Sequence, residues 1–283
     1  MAKPPKPNTR LVPVPSTNMI PERDIDKTPI LECRHLGINF GGLAAVEDFN
    51  IAIGRTEIAG LIGPNGAGKT TVFNLLTNVY RPTRGKIELS RHDTLGKTPH
   101  EVAKDGIART FQNIRLFKNL SVIDNVKIAM HNHMRYGFGA AFLRLPSYWR
   151  EEKAAHERAM DLLGVFDMQD MADAPAGSLP YGAQRRLEII RALATDPKVL
   201  LLDEPAAGMN PSETAELMPT LRSIRDRFGV AIILIEHDMS LVMQVCERII
   251  VLNYGLIIAQ GTPDEIRQNP MVIEAYLGQQ RGE

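Results

Sequence analysis

One glycine-rich segment, set between an apolar run and a helix-forming run, constrains the fold of this chain most strongly. Ile58–Ile62 has the length and composition of a buried strand, and Thr70–Leu76 has the apolar spacing of a helix. The residues between them, Gly63-Pro64-Asn65-Gly66-Ala67-Gly68-Lys69-Thr70, match the pattern G-x-x-x-x-G-K-[ST]. Glycines let successive N–H groups converge on an anion, and the helix adds the positive end of its dipole. The segment therefore predicts an α/β fold that binds a nucleoside triphosphate.

Three residues at the end of this segment have distinct predicted roles. Lys69 is expected to reach the β- and γ-phosphates, and the Thr70 hydroxyl is expected to bind Mg²⁺. Thr71 follows in the first turn of the helix, beside the same phosphates. An ordinary glycine turn before a helix is the competing interpretation, and the strand before the loop and the threonines after it argue against it.

An acidic pair ends a second apolar run, Val199–Leu202. Asp203 and Glu204 are predicted to lie at the carboxyl edge of the sheet, where open α/β folds bind their ligands. Asp203 suits the shell of a Mg²⁺ ion, usually through water, and Glu204 suits a general base for the attacking water. Such a pair is ordinarily a solvated helix cap, but the phosphate-binding segment favours the catalytic interpretation.

Other apolar runs complete a parallel-sheet core with a helical insertion. Val230–Ile235 and Ile249–Leu252 suit strands buried on both faces. Shorter β-like runs are Ile38–Phe40, Ile51–Ile53 and Lys86–Leu89. Residues 114–173 are predicted to be mostly helical, with a capping box of Ser121 and Asp124 opening a helix Val122–His133, a second helix at Glu151–Leu163, and a last helix opened later by Thr262-Pro263-Asp264-Glu265.

The first thirty residues and the overall charge limit the classes of partner. Residues 1–30 are rich in proline without apolar periodicity, so we expect a flexible tail. Lys plus Arg and Asp plus Glu both number 33, which indicates no nucleic-acid partner. No apolar stretch approaches the roughly 20 residues of a membrane span. The two cysteines, Cys33 and Cys246, indicate reduced thiols in a cytosolic protein.

Four further segments, in a fixed order around the two strong motifs, resemble motifs of the ABC ATPases. Leu179-Pro180-Tyr181-Gly182-Ala183-Gln184 resembles the signature loop of that family. His237 resembles its switch histidine, and Gln112 resembles the glutamine between its core and helical insertion. Phe40 lies where the family places an aromatic ring under adenine. The resemblance covers residues 31–278.

The resemblance implies a fold and a mechanism. The fold is a P-loop NTPase of the ABC type: a RecA-like parallel-sheet core (31–112 and 176–283), an antiparallel β subdomain and an inserted helical subdomain (113–175). Two such domains close head to tail around two ATP molecules, and Tyr181, Gly182, Ala183 and Gln184 of each face the γ-phosphate held by the other. His237 contacts the same phosphate, while Gln112 reaches the Mg²⁺ ion or the attacking water. A groove near Leu116 and Phe117 receives a helix of a membrane subunit.

Within this family the chain most resembles the ATP-binding subunits of branched-chain amino acid importers. That implies a second ATPase subunit, two membrane permeases and, indirectly, a periplasmic solute-binding protein, with this chain peripheral on the cytoplasmic face of the inner membrane. Urea and amide importers are built similarly and stay an alternative, as do a soluble ABC ATPase acting on nucleic acid or ribosomes and a non-hydrolysing partner in an asymmetric dimer. Two residues depart from the usual pattern: Pro180 replaces a serine, and Asn210 replaces a frequent aspartate.

Overall fold

The structure, a computed structural model, describes residues 28–130 and 146–277. The predicted proline-rich tail therefore lies almost wholly outside the described residues. The helices and strands in chain order are β1 (Leu31–Phe40), β2 (Leu43–Ile53), β3 (Ile58–Ile62), α1 (Lys69–Leu76), β4 (Arg84–Leu89), β5 (His92–Asp93), α2 (Pro99–Asp105), β6 (Ile107–Arg109), α3 (Val122–Ala129), α4 (Pro146–Leu163), α5 (Tyr181–Leu193), β7 (Val199–Asp203), α6 (Pro211–Phe228), β8 (Ala231–Ile235), α7 (Met239–Val245), β9 (Arg248–Asn253), β10 (Leu256–Gly261), α8 (Pro263–Arg267) and α9 (Pro270–Leu277).

A mixed sheet with the strand order β10-β9-β3-β8-β7-β6 forms the centre of the fold. The pairs β9–β3, β3–β8, β8–β7 and β7–β6 are parallel, and only β10 runs antiparallel to its neighbour. Every residue of β3, β7 and β8 is buried, which confirms the prediction of parallel strands covered on both faces. This order places the carboxyl ends of β3, β8, β7 and β6 side by side.

The second sheet is the predicted antiparallel subdomain, with the order β2-β1-β4-β5. It packs against one face of the mixed sheet and encloses α1, through a core that includes Phe49, Phe73 and Leu76. The other face of the mixed sheet carries a separate core shared with α3, α4 and α6. The glycine-rich loop between β3 and α1 is thus anchored between two well-packed layers.

The helical insertion differs in detail from the prediction. Ser121 caps α3 by accepting the Asp124 N–H at 3.1 Å, as predicted. The Asp124 carboxylate, however, accepts the Ser121 hydroxyl at 2.7 Å instead of the backbone N–H, so the reciprocal half of a capping box is not formed. The described helix is Val122–Ala129, and the predicted continuation through His133 lies outside the described residues.

Two further findings concern the helices. The predicted cap at Thr262 is confirmed, with a complete capping box between Thr262 and Glu265 and with Pro263 at the first helical position. None of the helices in the described ranges is both long and apolar enough to cross a bilayer.

Candidate active site

The loop between β3 and α1 has a backbone that only glycine can adopt at two positions. A Cβ atom at Gly63 would lie 2.0 Å from the carbonyl oxygen of Leu252, and one at Gly68 would lie 2.7 Å from that of Ala45. Gly68 also has φ 104° and is the N-cap residue of α1. The loop is therefore pressed against neighbouring main chain, which leaves its N–H groups free to curl around an anion.

Lys69 holds its ammonium group inside this loop. Its Nζ donates to the carbonyl oxygens of Gly63 at 2.6 Å and Pro64 at 3.0 Å. Burial lowers the pKa of Lys69, while the negative charges of Glu204 and Asp203 act in the opposite direction. A partly desolvated cation bonded to loop carbonyls is well suited to bind phosphate oxygens, because phosphate restores the charge balance that burial removes.

A cavity of about 620 Å³ lies over this loop and brings the predicted site residues together. Its walls come from the phosphate loop, from the ends of β6, β7 and β8, and from the start of β2. The lining residues are Leu43, Ala44, Ala45, Asn65, Gly66, Ala67, Gly68, Lys69, Thr70, Thr71, Gln112, Glu204, Ile235, His237 and Tyr254. Lys69 and Glu204, which the sequence places 135 positions apart, therefore share one pocket.

Glu204 is held from two sides by residues of neighbouring strand ends. Its Oε1 lies 2.9 Å from Nε2 of His237, and its Oε2 accepts a hydrogen bond from Nε2 of Gln112 at 3.2 Å. The backbone of Glu204 has φ 51°, a left-handed conformation that is unfavourable for a residue other than glycine. A carboxylate fixed in this way at the cavity wall can accept a proton from a water molecule placed against the bound phosphate.

Asp203 has a partner that the sequence did not indicate. Nη2 of Arg109 donates to Asp203 Oδ2 at 2.8 Å, and the two side chains are only 7% and 4% exposed. Nη1 of Arg109 donates to Oδ1 of Asn74 at 2.6 Å, and its guanidinium lies over the rings of Phe73 and Phe111. The Asp203 N–H also donates to Oγ1 of Thr110 at 3.2 Å. The carboxylate of Asp203 thus has a fixed orientation beside the phosphate loop.

Phe40 lies outside the set of residues that line the cavity. Its ring is 44% exposed and packs edge to face against Tyr80, with ring centroids 5.2 Å apart. Leu43, Ala44 and Ala45 line the cavity instead, a few residues further along the chain. The stacking of Phe40 on adenine stays a prediction.

The predicted signature residues start α5 and contact the loop after β7. The N-cap residue Pro180 makes no side-chain cap hydrogen bond. Gly182 lies so close to α6 that a Cβ atom there would be 2.4 Å from Oε1 of Glu213, and the ring of Tyr181 packs against Gly208. Gln184 donates from Nε2 to the Leu179 carbonyl at 2.8 Å. Residues 181–184 do not belong to the lining of the phosphate cavity in their own chain.

Comparison with known proteins identifies the family. The profile of the ABC transporter family matches residues 46–207, and that of the branched-chain amino acid ATP-binding cassette transporters matches residues 257–281. The chain is 46% identical to the high-affinity branched-chain amino acid transport ATP-binding protein BraF of Pseudomonas aeruginosa, over 89% of this chain and 98% of BraF. Identity and coverage are the same for LivG of Escherichia coli.

Solved structures agree with this result. The ADP conformation of MJ1267, an ATP-binding cassette of an ABC transporter, superposes with a TM-score of 0.77 at 28% identity, over 89% of this chain and 99% of MJ1267. The resemblance found in the sequence motifs is therefore confirmed by the fold as well. The chain belongs to the ABC transporter family and is an ATP-binding, ATP-hydrolysing subunit similar to those of branched-chain amino acid transporters.

Proposed function

We propose that this ATPase energises the uptake of branched-chain or other hydrophobic amino acids through partner permeases. The observation that carries the hydrolytic part is the shared cavity of Lys69, Glu204, Gln112 and His237. The solute is supported by the 46% identity to BraF and LivG, whose names state that transport, and by the match of residues 257–281.

Each residue of the cavity has a proposed role in hydrolysis. The N–H groups of residues 63–68 and the ammonium of Lys69 bind the phosphates of ATP. Glu204 acts as general base on the attacking water. His237 and Gln112 orient both the Glu204 carboxylate, through the contacts of 2.9 and 3.2 Å, and the γ-phosphate or water beside it. A fixed base next to a fixed phosphate lowers the entropic cost of the reaction.

The donor set at this site fits Mg²⁺. Thr70 offers an exposed hydroxyl in the cavity, Asp203 offers a fixed carboxylate, and Gln112 offers an amide oxygen. Hard oxygen ligands with room for water molecules are what Mg²⁺ prefers. When bound, the ion would neutralise charge on the β- and γ-phosphates.

The contacts of the signature loop support a head-to-tail dimer. Tyr181, Gly182, Ala183 and Gln184 stand at the start of α5, outside the cavity of their own chain, so a second ATPase subunit must bring their equivalents to the γ-phosphate. Because Pro180 supplies neither a hydroxyl nor an N–H, we expect this contact to use the amides from Gly182 onward.

A groove beside the helical insertion supports docking of a permease helix. Its volume is about 500 Å³, and its walls include the exposed ring of Phe117 together with Phe111, Arg115, Ile128 and Arg191. Apolar rings beside arginines suit an amphipathic helix that carries an acidic residue. Docked there, the chain would be peripheral on the cytoplasmic face of the inner membrane, below two permeases and, indirectly, a periplasmic binding protein.

The variant Glu204→Gln tests the hydrolytic assignment. It keeps the shape of the side chain but removes the base, so we expect turnover to fall by about 10²–10⁴-fold while ATP binding is retained and a closed dimer accumulates. Turnover can be measured by phosphate release and dimerisation by light scattering. Glu157→Gln, at an exposed position of α4, is the matched control. Unchanged turnover of Glu204→Gln would remove Glu204 from the role of base.

The solute is tested in vesicles that contain the assembled transporter and its binding protein. We expect ATP-dependent uptake of leucine, isoleucine and valine. Uptake of urea or an amide without uptake of these amino acids would favour the alternative importer. Recovery of the chain with ribosomes and without permeases would contradict the transport function.

A further inference from the structure

Glu236 is a buried acidic residue that lies between the two loops carrying Glu204 and His237. It follows β8 directly and is only 6% exposed. Its Oε1 accepts a hydrogen bond from the Ala206 N–H at 2.8 Å, and its Oε2 accepts one from the His237 N–H at 3.1 Å. One carboxylate therefore joins the loop after β7 to the loop after β8.

Stability alone gives little reason for an acid at this position. Within residues 28–130 and 146–277, no lysine, arginine or histidine forms an ion pair with Glu236. Burial raises the pKa of Glu236, and the nearby charge of Glu204 adds to that effect, while backbone N–H groups oppose it. A buried carboxylate without a cation is unfavourable compared with a neutral side chain. Its persistence points to a requirement of geometry.

The loop that Glu236 holds is the one that contains the strained residue. Glu204 has φ 51°, and such a conformation persists only where the surroundings fix it. The Glu204 N–H donates to the Ile235 carbonyl at 2.9 Å, and two residues later the Ala206 N–H donates to Glu236. The main chain is therefore tied to the end of β8 on both sides of the turn.

We propose that Glu236 is a positioning residue for ATP hydrolysis, which clamps the loop after Glu204 to the backbone of His237 and so fixes the two side chains 2.9 Å apart. Glu236 does not line the nucleotide cavity, so it acts through these neighbours and does not bind ATP. The inference rests on the roles proposed above for Glu204 and His237. It adds to them a third acidic residue, which holds the geometry in which the base and the histidine meet.

The variant Glu236→Gln separates positioning from ATP binding. The amide has the same shape but can accept only through its oxygen, so one of the two loops loses its hydrogen bond. We expect kcat to fall by about tenfold to a hundredfold, with the Kd for a fluorescent ATP analogue and the KM for ATP within about twofold of wild type. The thermal midpoint should change little, because the lost hydrogen bond is offset by removal of a buried charge.

A purely structural role would have a different signature: ATP affinity, thermal midpoint and turnover would decrease together. That parallel loss would overturn the proposal, as would a wild-type kcat. Glu236→Asp is the second variant, for use if Glu236→Gln does not fold. It keeps the charge but is one methylene shorter, so it reaches only one of the two N–H groups and should also lower kcat alone. Glu216→Gln, at an exposed ion pair of α6, is the matched control.

Glu204→Gln, measured in parallel, separates this inference from the proposed function. If Glu204→Gln still hydrolyses ATP at the wild-type rate, the role of Glu204 fails and the inference fails with it. If Glu204→Gln is inactive while Glu236→Gln and Glu236→Asp turn over normally, only the role of Glu236 is refuted.

Discussion

The buried pair of Arg109 and Asp203 makes a strong prediction about stability. Arg109→Met removes the guanidinium but keeps most of the apolar bulk between Phe73 and Phe111. Because Asp203 is only 4% exposed in its side chain, the variant leaves a carboxylate buried without its partner. Removing one member of a buried pair costs about 3–5 kcal/mol. For a chain of this size that corresponds to a decrease of about 6–20 °C in Tm.

Urea unfolding followed by circular dichroism, together with calorimetry, measures this cost. Arg158→Met is the matched control: its ion pair with Asp196 is exposed, at 53% and 67%, so its loss should cost within about 1 kcal/mol. A double-mutant cycle with Asp203→Asn isolates the pair. The double variant should be less destabilised than the sum of the single variants, by about 2–3 kcal/mol, because neither charge is then left alone. Additive effects, or a cost of Arg109→Met below about 1 kcal/mol, would refute the reasoning.

Two further predictions follow from burial and from backbone geometry. Cys33 and Cys246 are both buried, and burial raises the pKa of each thiol far above its usual range. A thiol reagent should therefore modify neither cysteine in the folded protein and both in guanidinium; rapid modification of the native protein would contradict this. Gly63→Ala should abolish ATP binding and lower Tm, since its Cβ would lie 2.0 Å from the Leu252 carbonyl, whereas Gly96→Ala meets no atom within 4 Å; equal effects of the two variants would refute the steric argument.

Local patterns predicted those elements whose structure depends on neighbours in the sequence. The strand Ile58–Ile62 was predicted with the bounds that the structure has, because a short apolar run before a glycine-rich turn has few alternatives. The helix cap at Thr262 was predicted because the cap, the proline and the acid all lie within four residues. The short strand β6 (Ile107–Arg109) was not predicted. It has three residues and exists through its pairing with β7, Ile107 with Val199.

The candidate site divides in the same way. The phosphate loop and the acidic strand end were identified from motifs, and the structure places Lys69 and Glu204 in one cavity. The partners of the acids were not identified. Arg109 lies 94 positions from Asp203, and Glu236 lies 30 positions from Ala206, so both contacts depend on the strand order β6-β7-β8. That order is a property of the whole sheet, and no local pattern encodes it.

The loop from Glu204 to Asn210 is where the site of one subunit meets the contact proposed for the other. Its first part carries the base and is tied to β8 through Ala206, while Gly208 packs against the ring of Tyr181 at the start of the signature helix. Asn210 caps α6 by accepting the Glu213 N–H at 2.9 Å, so its amide oxygen replaces an aspartate as a cap and only the charge is lost. In the proposed dimer, a γ-phosphate that displaces Tyr181 must also displace this loop. The strained backbone at Glu204 would then respond to nucleotide in the other subunit, because it is part of the same short segment.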